Sequence, residues 1–503
     1  MPAPEIVLTA INAKWIHPSL ALRLLKANLQ EYENRTFILE FALRQPLKEK
    51  LEPILTARPR ILGLSVSIWN HTAILELLKA LKQQWEASGE GRRPVVVLGG
   101  PEVSYLPEEA EIIALADYVI RGDGELAFRD LCRRLLGSSA LLPNGAVQDR
   151  PGKFIDAPPV DPADIDPGYR LYTGEDLDRK LTYVEASRGC PFGCAFCLSA
   201  AGRPEPGAGE RASGPAAVRE FPLEAFLGEM ETLIRRGGRS FKFLDRSFNL
   251  NPERARRIMA FFLEHITQKT ADDPQAPGIY VHFEIFPALF TPELRELARR
   301  FPPGSLRLEL GIQTFNRRTA ALIRRPGDGE KELEALDFLR RETGAIVHAD
   351  LIAGLPGEDL ASFAAGFDRL WQVRPREIQL GILKCLPGTS LLRHCEAYGI
   401  RYAAEPPYEV LETAALPEPD LDRIKNFARF WELIVNRGAF PDLVPALCPE
   451  GESMFRYFMR LSDRLLRRFG RNWGIDRREL RETLTALLPA PELSRQDAGE
   501  SPG

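Results

Sequence analysis

Three cysteines, Cys190, Cys194 and Cys197, fall close together in Arg188-Gly189-Cys190-Pro191-Phe192-Gly193-Cys194-Ala195-Phe196-Cys197. The apolar run 181–186 leads directly into them. Gly189, Pro191 and Gly193 suit a tight loop, and neither a helix nor a strand. A strand must therefore deliver the chain into a loop whose thiols share one small space. Thiolates are soft ligands for iron, and this spacing lets one short loop wrap a single cluster. Only three ligands are supplied, so a 4Fe–4S cluster held here keeps one iron open to a reactant. A structural zinc needs a fourth ligand, and no Cys or His follows Cys197 at finger spacing. Buried structural cysteines are the remaining reading.

From 181 onwards, apolar runs alternate six times with helical periodicity. Strands are predicted at 181–186, 240–244, 279–285, 306–312, 346–352 and 378–382. Helices are predicted at 223–236, 252–267, 291–300, 319–324, 331–342 and 360–372. Six parallel βα units make a partial (β/α)6 barrel of the TIM-like kind, with chemistry at the carboxyl ends of the strands. Polar residues gather at those ends: Asp245, Arg246 and Asn249, then Glu284, then Glu309 and Gln313. Asp350 with Gly354-Leu355-Pro356-Gly357 follows on the fifth unit, and Lys384 with Pro387-Gly388 on the sixth. A buried carboxylate is costly unless a cation or donor meets it, so a ligand ammonium or ribose is a natural partner. For any one of them, pairing with a nearby Arg or Lys is the plainer reading.

The first third repeats the pattern, with strands at 6–10, 36–42, 61–66, 94–98 and 118–120. Helices at 20–29, 47–55, 73–85, 108–115 and 126–136 separate them. Five such strands imply a doubly wound parallel sheet, flavodoxin-like or Rossmann-like, with ligands at its carboxyl edge. That edge carries Asn12, His17, Ser65, Ser67, Asn70, Gly99-Gly100-Pro101-Glu102 and Gly122-Asp123-Gly124-Glu125. Gly and Pro interrupt 138–180, which reads as a linker laid across a surface. A Gly/Pro/Ala stretch at 201–217 reads as a mobile loop. Beyond 401 the periodicity is helical at 420–436, 454–469 and 476–488, and 494–503 reads as disordered. The expected units are therefore 1–140, a linker 141–180, the barrel 181–400, a small all-helical unit 401–490 and a tail 491–503.

A formal net charge of −4 gives no global push towards nucleic acid or anionic membrane. Arg460, Arg464, Arg467, Arg468 and Arg471 read as a solvated helix face rather than an RNA site. Seven cysteines without a disulfide framework suit a reducing cytoplasm. The opening residues lack a basic n-region, and no uncharged apolar run reaches membrane-spanning length. Cys385, Cys395 and Cys448 read as small buried hydrophobes.

Cys-x3-Cys-x2-Cys with Phe196 before the last cysteine resembles the radical S-adenosylmethionine superfamily. That resemblance implies a 4Fe–4S cluster on Cys190, Cys194 and Cys197. It also implies S-adenosylmethionine as cosubstrate, cleaved reductively to a 5′-deoxyadenosyl radical. Phe196 would lie against the adenine, Asp245 at the methionine amino group, and Glu309 and Gln313 at the ribose. The 350–357 segment, with Gly354 and Leu355, would pass the adenine, and Leu386-Pro387-Gly388-Thr389 matches a turn after the sixth strand. The usual Gly-Gly-Glu of the second strand is replaced by a Phe-x-Asp-x-x-Phe form, Phe243 to Phe248.

Placed before such a loop, the first domain resembles the cobalamin-binding domain of cobalamin-dependent radical enzymes. The implied cobalamin contacts are Asn12, His17, Ser65, Ser67, Asn70, Gly99, Gly100, Gly122, Gly124 and Glu125. The Asp-x-His-x-x-Gly motif of many cobalamin proteins is absent. His17 lies in the matching loop without its motif partners, so cobalt ligation and a plain loop role both stay open. The helical tail resembles an extra domain on one branch of that family. The implied activity is a methyltransferase acting on an unactivated carbon centre. The alternatives are a radical rearrangement or cyclisation without methyl transfer, and a non-enzymatic iron–sulfur or cobalamin-binding protein. Implied partners are a reductant such as flavodoxin or ferredoxin and a small-molecule or peptide substrate, with Arg246, Glu284 and Lys384 as candidate contacts. Neither membrane nor nucleic acid is expected as a partner.

Overall fold

The computed structural model describes residues 4–88, 93–137, 152–201, 218–272, 278–447 and 451–487. The loop expected at 201–217 (past its first residue), Cys448 and the tail from 491 lie outside them. The first sheet contains β1 Ile6–Asn12, β2 Thr36–Ala42, β3 Ile61–Ser65, β4 Val95–Gly99, β5 Tyr118–Gly122 and β6 Phe154–Ala157. All are parallel, in the order β2-β1-β3-β4-β5-β6. Six of the seven β1 residues are buried, the mark of a strand covered on both faces. Helices α1 Leu20–Ala27, α2 Leu47–Ala57, α3 His71–Ala87, α4 Glu111–Ala114 and α5 Gly124–Leu136 connect them. Two apolar layers sandwich the sheet, one around Leu62, Leu77 and Leu98, the other around Leu8, Leu22 and Phe128.

Five strands were expected here and six are present. The sixth is a short, half-exposed edge strand inside the segment read as a linker, and flanking Gly and Pro mask its apolar pair Phe154 and Ile155. Its neighbour explains one glycine: Gly122 has φ +88°, and a Cβ there would sit 2.6 Å from the Ala157 carbonyl oxygen. The described residues of that segment after β6 are not a surface linker either. Tyr169 and Tyr172 are buried in the barrel's core, and the Tyr172 hydroxyl donates to the Tyr183 carbonyl at 2.8 Å. Two aromatics three residues apart anchor it, a signal that its Pro and Gly content conceals.

The second sheet contains β7 Thr182–Val184, β8 Ser240–Phe243, β9 Tyr280–Ile285, β10 Leu306–Gln313, β11 Ile346–Ala353 and β12 Glu377–Ile382. They run parallel in the order β12-β11-β10-β9-β8-β7, an open six-stranded barrel. Helices α6 Leu223–Arg235, α7 Pro252–Asp272, α8 Pro292–Arg300, α9 Arg317–Leu322, α10 Gly329–Glu342 and α11 Leu360–Val373 complete the units. Period-two alternation sorts the strands. Phe241, Phe243, Val281, Phe283, Leu308 and Leu310 join the apolar core. The opposite face is charged: Lys242 pairs in register with His282 and His282 with Arg307, while Glu284 pairs with Glu309 and Glu309 with His348.

The last helices, α12 Glu418–Trp431, α13 Met454–Phe469 and α14 Arg477–Leu487, have no core of their own. Phe367 of α11 packs against Phe427, Trp431 and Phe455, with ring centroids 5.1, 4.9 and 5.7 Å away. They extend the barrel's core, so the boundary expected near 400 is not a break in packing. Phe363 of α11 also packs on Phe455, with ring centroids 5.7 Å apart. Arg460, Arg464, Arg467, Arg468 and Arg471 are exposed, opposite the buried Phe455, Phe458 and Leu465. Among the described residues no helix is long and apolar enough to cross a membrane.

Candidate active site

The carboxyl edge of the first sheet meets the barrel at three loops. After β1, the Ile16 carbonyl accepts from the Leu181 amide at 3.1 Å, and His17 Nδ1 lies 2.8 Å from the Tyr183 hydroxyl. After β4, Glu102 Oε1 accepts from the Tyr408 hydroxyl at 2.6 Å and lies 2.9 Å from His71 Nδ1. After β5, Glu125 Oε1 accepts from Arg188 Nη2 at 2.7 Å, and Asp123 accepts from Arg219 at 2.6 Å. Arg188 also donates through Nε to Glu185 at 3.0 Å. It stands two residues before Cys190, so one buried guanidinium ties the cysteine loop to the other domain.

The cysteine loop is held from three sides. Its Ala195 amide donates to the Ile323 carbonyl at 2.8 Å, and its Ala195 carbonyl accepts from the Leu391 amide at 2.9 Å. Phe192 packs on Phe286 at 4.8 Å between ring centroids. Gly189 has φ +94°, which a side chain would resist. Cys190 and Cys194 are buried and Cys197 is half-buried. Burial pushes the Cys194 thiol up, and the Arg325 guanidinium, 3.9 Å from its sulfur, opposes that. Among the described residues, no three His, Cys, Asp or Glu side chains are placed to hold a single metal ion. A 4Fe–4S cluster takes one thiolate per iron, so this donor set fits a cluster better than a zinc ion.

Asp245 was expected at the methionine amino group, and its surroundings give it another task. Its Oδ2 accepts from the Ala186 amide at 2.9 Å and its Oδ1 from the Ser187 hydroxyl at 2.6 Å. It therefore braces the entry to the cysteine loop from inside the core. Burial raises its pKa to about 6 despite those donors. The folded state thus binds more protons than the unfolded chain between the ordinary Asp value and about 6, so this group's contribution falls as pH rises through that window. Asp245→Asn, which keeps an acceptor for the amide, escapes that penalty. Relative to wild type, the variant should gain up to about 3 kcal/mol between pH 4 and pH 8. Urea melts of both proteins at the two pH values check this; an unchanged difference would reject it.

The remaining barrel residues divide. Phe196 is half-buried against the core. Gln313 has φ +71° at a register shift beside Gly311, a bulge of the kind that re-aims side chains next to active sites. Glu309 lies deeper than the mouth, with Oε2 at 3.0 Å from His282 Nε2 and 3.7 Å from Lys242 Nζ. Burial opposes its ionisation, but His282, Lys242 and His348 together hold it at about 2. Glu284 shares that interior without an ion pair among the described residues, and burial, then Glu309, raise it to about 7. Gly354 has φ +88°, and both it and Leu355 are buried. Arg246 is exposed and Lys384 half-buried.

On the first domain, several expected ligand contacts serve the fold. Asn70 donates to the Ile11 and Ser65 carbonyls and accepts from the buried Ser67 amide. Asn12 donates to Glu40 at 3.0 Å. Gly100, at φ +110°, lies so close to Val66 that a Cβ would approach its carbonyl oxygen to 2.4 Å. Gly124 opens α5, and a Cβ there would crowd Leu25 at 3.3 Å. Gly99 is different: a Cβ there would meet only one atom, at 3.8 Å, which leaves a cradle beside the sheet edge. Ser65 is half-buried at the same edge, and Glu125 Oε2 is buried without a hydrogen-bond partner among the described residues. Trp15, Ile16, Trp69 and Tyr105 on these loops and Leu244 beyond β8 are five of the seven exposed large apolar side chains among the described residues. Such a concentration marks a binding surface, and an open glycine, an unmet acceptor and apolar walls fit a large, flat cofactor.

The sequence reading missed Arg188 as a clamp, Arg325 beside the loop, and the Glu102–Tyr408 bond. Only Arg188 carried a signal, its place inside the cysteine motif.

The comparisons agree with this geometry. Residues 184–370 match the model of the Radical SAM superfamily, and residues 6–132 that of the B12 binding domain. Residues 396–484 match a family described as Protein of unknown function (DUF4080). The 2-(S-pantetheinyl)-carbapenam-3-carboxylate methyltransferase of Streptantibioticus cattleyicolor is 23% identical over 391 residues, 73% of this chain and 53% of that protein. The chain spans between about a third and about half the length of the curated methyltransferases it matches. The structure of TsrM from Kitasatospora setae, a radical S-adenosylmethionine methyltransferase with cobalamin and a [4Fe-4S] cluster bound, superposes with a TM-score of 0.57. The match is 16% identical and covers 92% of this chain and all of that one. OxsB, a cobalamin-dependent S-adenosylmethionine radical enzyme with aqua-cobalamin bound, gives 0.60 at 14% identity over 96% of this chain and 76% of that one. At such identities the structures show a shared fold.

Proposed function

We propose that this chain, which carries a B12-binding domain followed by a radical SAM domain, is a cobalamin-dependent methyltransferase acting on an unactivated carbon centre. One observation supports the reading: Arg188 joins the cysteine loop to Glu125 at the edge beside Gly99, so the segment that would hold the cluster is tied to the edge that would hold cobalamin. When bound, the cluster supplies the electron that cleaves S-adenosylmethionine, and cobalamin supplies a methyl group deliverable to a carbon radical. The similarity to a curated methyltransferase over most of this chain supports the same chemistry.

The chain's own residues divide the work. Cys190, Cys194 and Cys197 hold the cluster, and Asp245 keeps their loop in place. Phe196 would lie against the adenine, and Gln313, at the bulge beside Gly311, would meet the ribose. Gly99 and Glu125 would receive the cobalamin, with Trp69 and Tyr105 as its apolar walls. Tyr183 fixes His17 through Nδ1, which would leave Nε2 as the ring nitrogen available to cobalt. Glu284, at about 7, can hold or release a proton at its carboxyl near neutral pH. Arg246 and Lys384 flank the mouth as substrate contacts.

The test is incubation of the reduced, cofactor-loaded protein with cell extract and methyl-labelled S-adenosylmethionine, followed by mass spectrometry. The expected result is a labelled product, formed with both 5′-deoxyadenosine and S-adenosylhomocysteine. Extract-dependent 5′-deoxyadenosine with no label in any product would replace methyl transfer by a rearrangement.

A further inference from the structure

Away from the cysteine loop, two further thiols meet. Cys385 follows β12 and is buried, and Cys395 follows the short 3-10 turn Ser390–His394 and is half-buried. Their sulfurs lie 4.0 Å apart. Both backbones are anchored: the Cys385 amide donates to the Tyr408 carbonyl at 2.9 Å, and the Cys395 carbonyl accepts from the Ile400 amide at 2.8 Å. A disulfide needs its sulfurs about 2 Å apart, so they must close by about 2 Å. Rotation about the Cα–Cβ bond moves a sulfur that far and leaves both anchors in place.

The chain between the two thiols joins three parts of the molecule. Gly388, at φ +83°, leaves no room for a Cβ beside the Tyr105 ring of the first domain. The Leu391 amide donates to the Ala195 carbonyl at 2.9 Å, inside the cysteine loop. Cys395 Sγ itself lies 3.8 Å from the Leu391 carbonyl. The Tyr408 that anchors Cys385 also donates its hydroxyl to Glu102. The segment 385–395 thus connects the last barrel strand, the first domain and the cysteine loop, and a thiol stands at each of its ends. A covalent bond between those ends removes open conformations of the segment.

We propose that Cys385 and Cys395 are an oxidation site, at which hydrogen peroxide produces an intramolecular disulfide that staples the segment holding the cysteine loop. Cys395, the more exposed, reacts first. Its thiolate attacks one peroxide oxygen, the O–O bond breaks, and the other oxygen leaves as hydroxide, leaving a sulfenic acid. The Cys385 thiolate then attacks that sulfur, the S–S bond forms, and a second hydroxide leaves. With the two thiol protons returned, two thiols and one peroxide give one disulfide and two waters. Burial raises both thiols, so the first step is slow and quickens as pH rises. The second step is intramolecular, between atoms already adjacent.

Trypsin cleaves after Lys384, Arg393 and Arg401, so the two cysteines fall on separate peptides, 385–393 and 394–401. The test treats folded full-length wild type and C395S, before cluster reconstitution, with hydrogen peroxide, then alkylates free thiols and maps the peptides by mass spectrometry. Wild type should yield the two peptides joined, two hydrogens lighter than their sum, and a dithiol should part them again. C395S should yield no such species. In oxidised wild type, hydrogen exchange across 386–394 should slow at least about tenfold, with no slowing in C395S. Both thiols still open to alkylation, or Cys395 driven to the sulfinic acid without a link, would overturn the proposal. So would a link formed only in urea, or one from either thiol mainly to a cluster cysteine. A native link that leaves exchange unchanged would overturn the staple. Methyl transfer can fail in the experiment above while this link forms, and the reverse.

Discussion

Protein in which Cys190, Cys194 and Cys197 are all replaced by Ala should emerge from anaerobic reconstitution without iron and form no 5′-deoxyadenosine. Wild type treated in parallel should hold about four irons per chain. The expected loss is complete because the thiolate is the ligand, and alanine leaves no donor in its place. The loop itself should survive. Its shape rests on the Ala195 backbone bonds, the Phe192–Phe286 contact and the Asp245 brace, none of which uses a sulfur. Circular dichroism should therefore match wild type, which separates loss of metal from loss of fold. Iron and sulfide assays with visible absorption check the first outcome, and chromatography of the reaction mixture the second. Retention of stoichiometric iron by the triple variant would remove the cysteine loop from the centre of the mechanism.

The cluster loop was legible because its constraint is local: three ligands and three loop formers lie in one window. Both sheets were legible for a related reason. Strands such as β1 and β10 are covered on two faces or alternate cleanly, and the sequence records that pattern residue by residue. What escaped depends on distant partners. β6 is a four-residue edge strand whose identity comes from pairing with β5, which no local period reveals. That the tail helices pack onto the barrel could not be read, because their apolar faces are visible in the sequence while Phe367, which they cover, lies on a barrel helix.

At the site the same division holds. Residue types at strand ends are readable, but their partners are not. Asp245 and Asn70 looked like ligand contacts because polar groups at a sheet's carboxyl edge often are. Their hydrogen bonds to Ala186, Ser187, Ile11 and Ser65 emerge only when loops converge. The charged barrel interior was partly readable: Glu309 and Glu284 were singled out, whereas Lys242 and His282, which set the ionisation of Glu309, were not.

The second large effect expected is structural, and it follows from Arg188. Its side chain is 9% exposed, and that of Glu125 7%. Glu185 is also buried, at pKa about 7, with burial raising it and Arg188 opposing the rise. A buried pair of this kind adds little over well-packed apolar groups, but removing one partner leaves a charge that nothing answers, at about 3–5 kcal/mol. Arg188→Met should therefore destabilise the protein by roughly 3 kcal/mol at pH 8 in urea melts. Without the guanidinium, Glu185 holds its proton to still higher pH, so the folded variant binds more protons than its unfolded chain across a wider range. The deficit should then grow as pH rises and shrink near pH 5, where Glu185 is protonated in both proteins. The double change Arg188→Met with Glu125→Met should recover part of the loss, because it deletes the stranded carboxylate as well. Function should separate along the same joint. Loosening the contact between the β5 loop and the cysteine loop should lower the labelled methyl product more than it lowers 5′-deoxyadenosine, since only methyl delivery needs both domains in register. A variant within about 0.5 kcal/mol of wild type, with both products unchanged, would show that the clamp contributes nothing that the His17–Tyr183 and Glu102–Tyr408 contacts do not already provide.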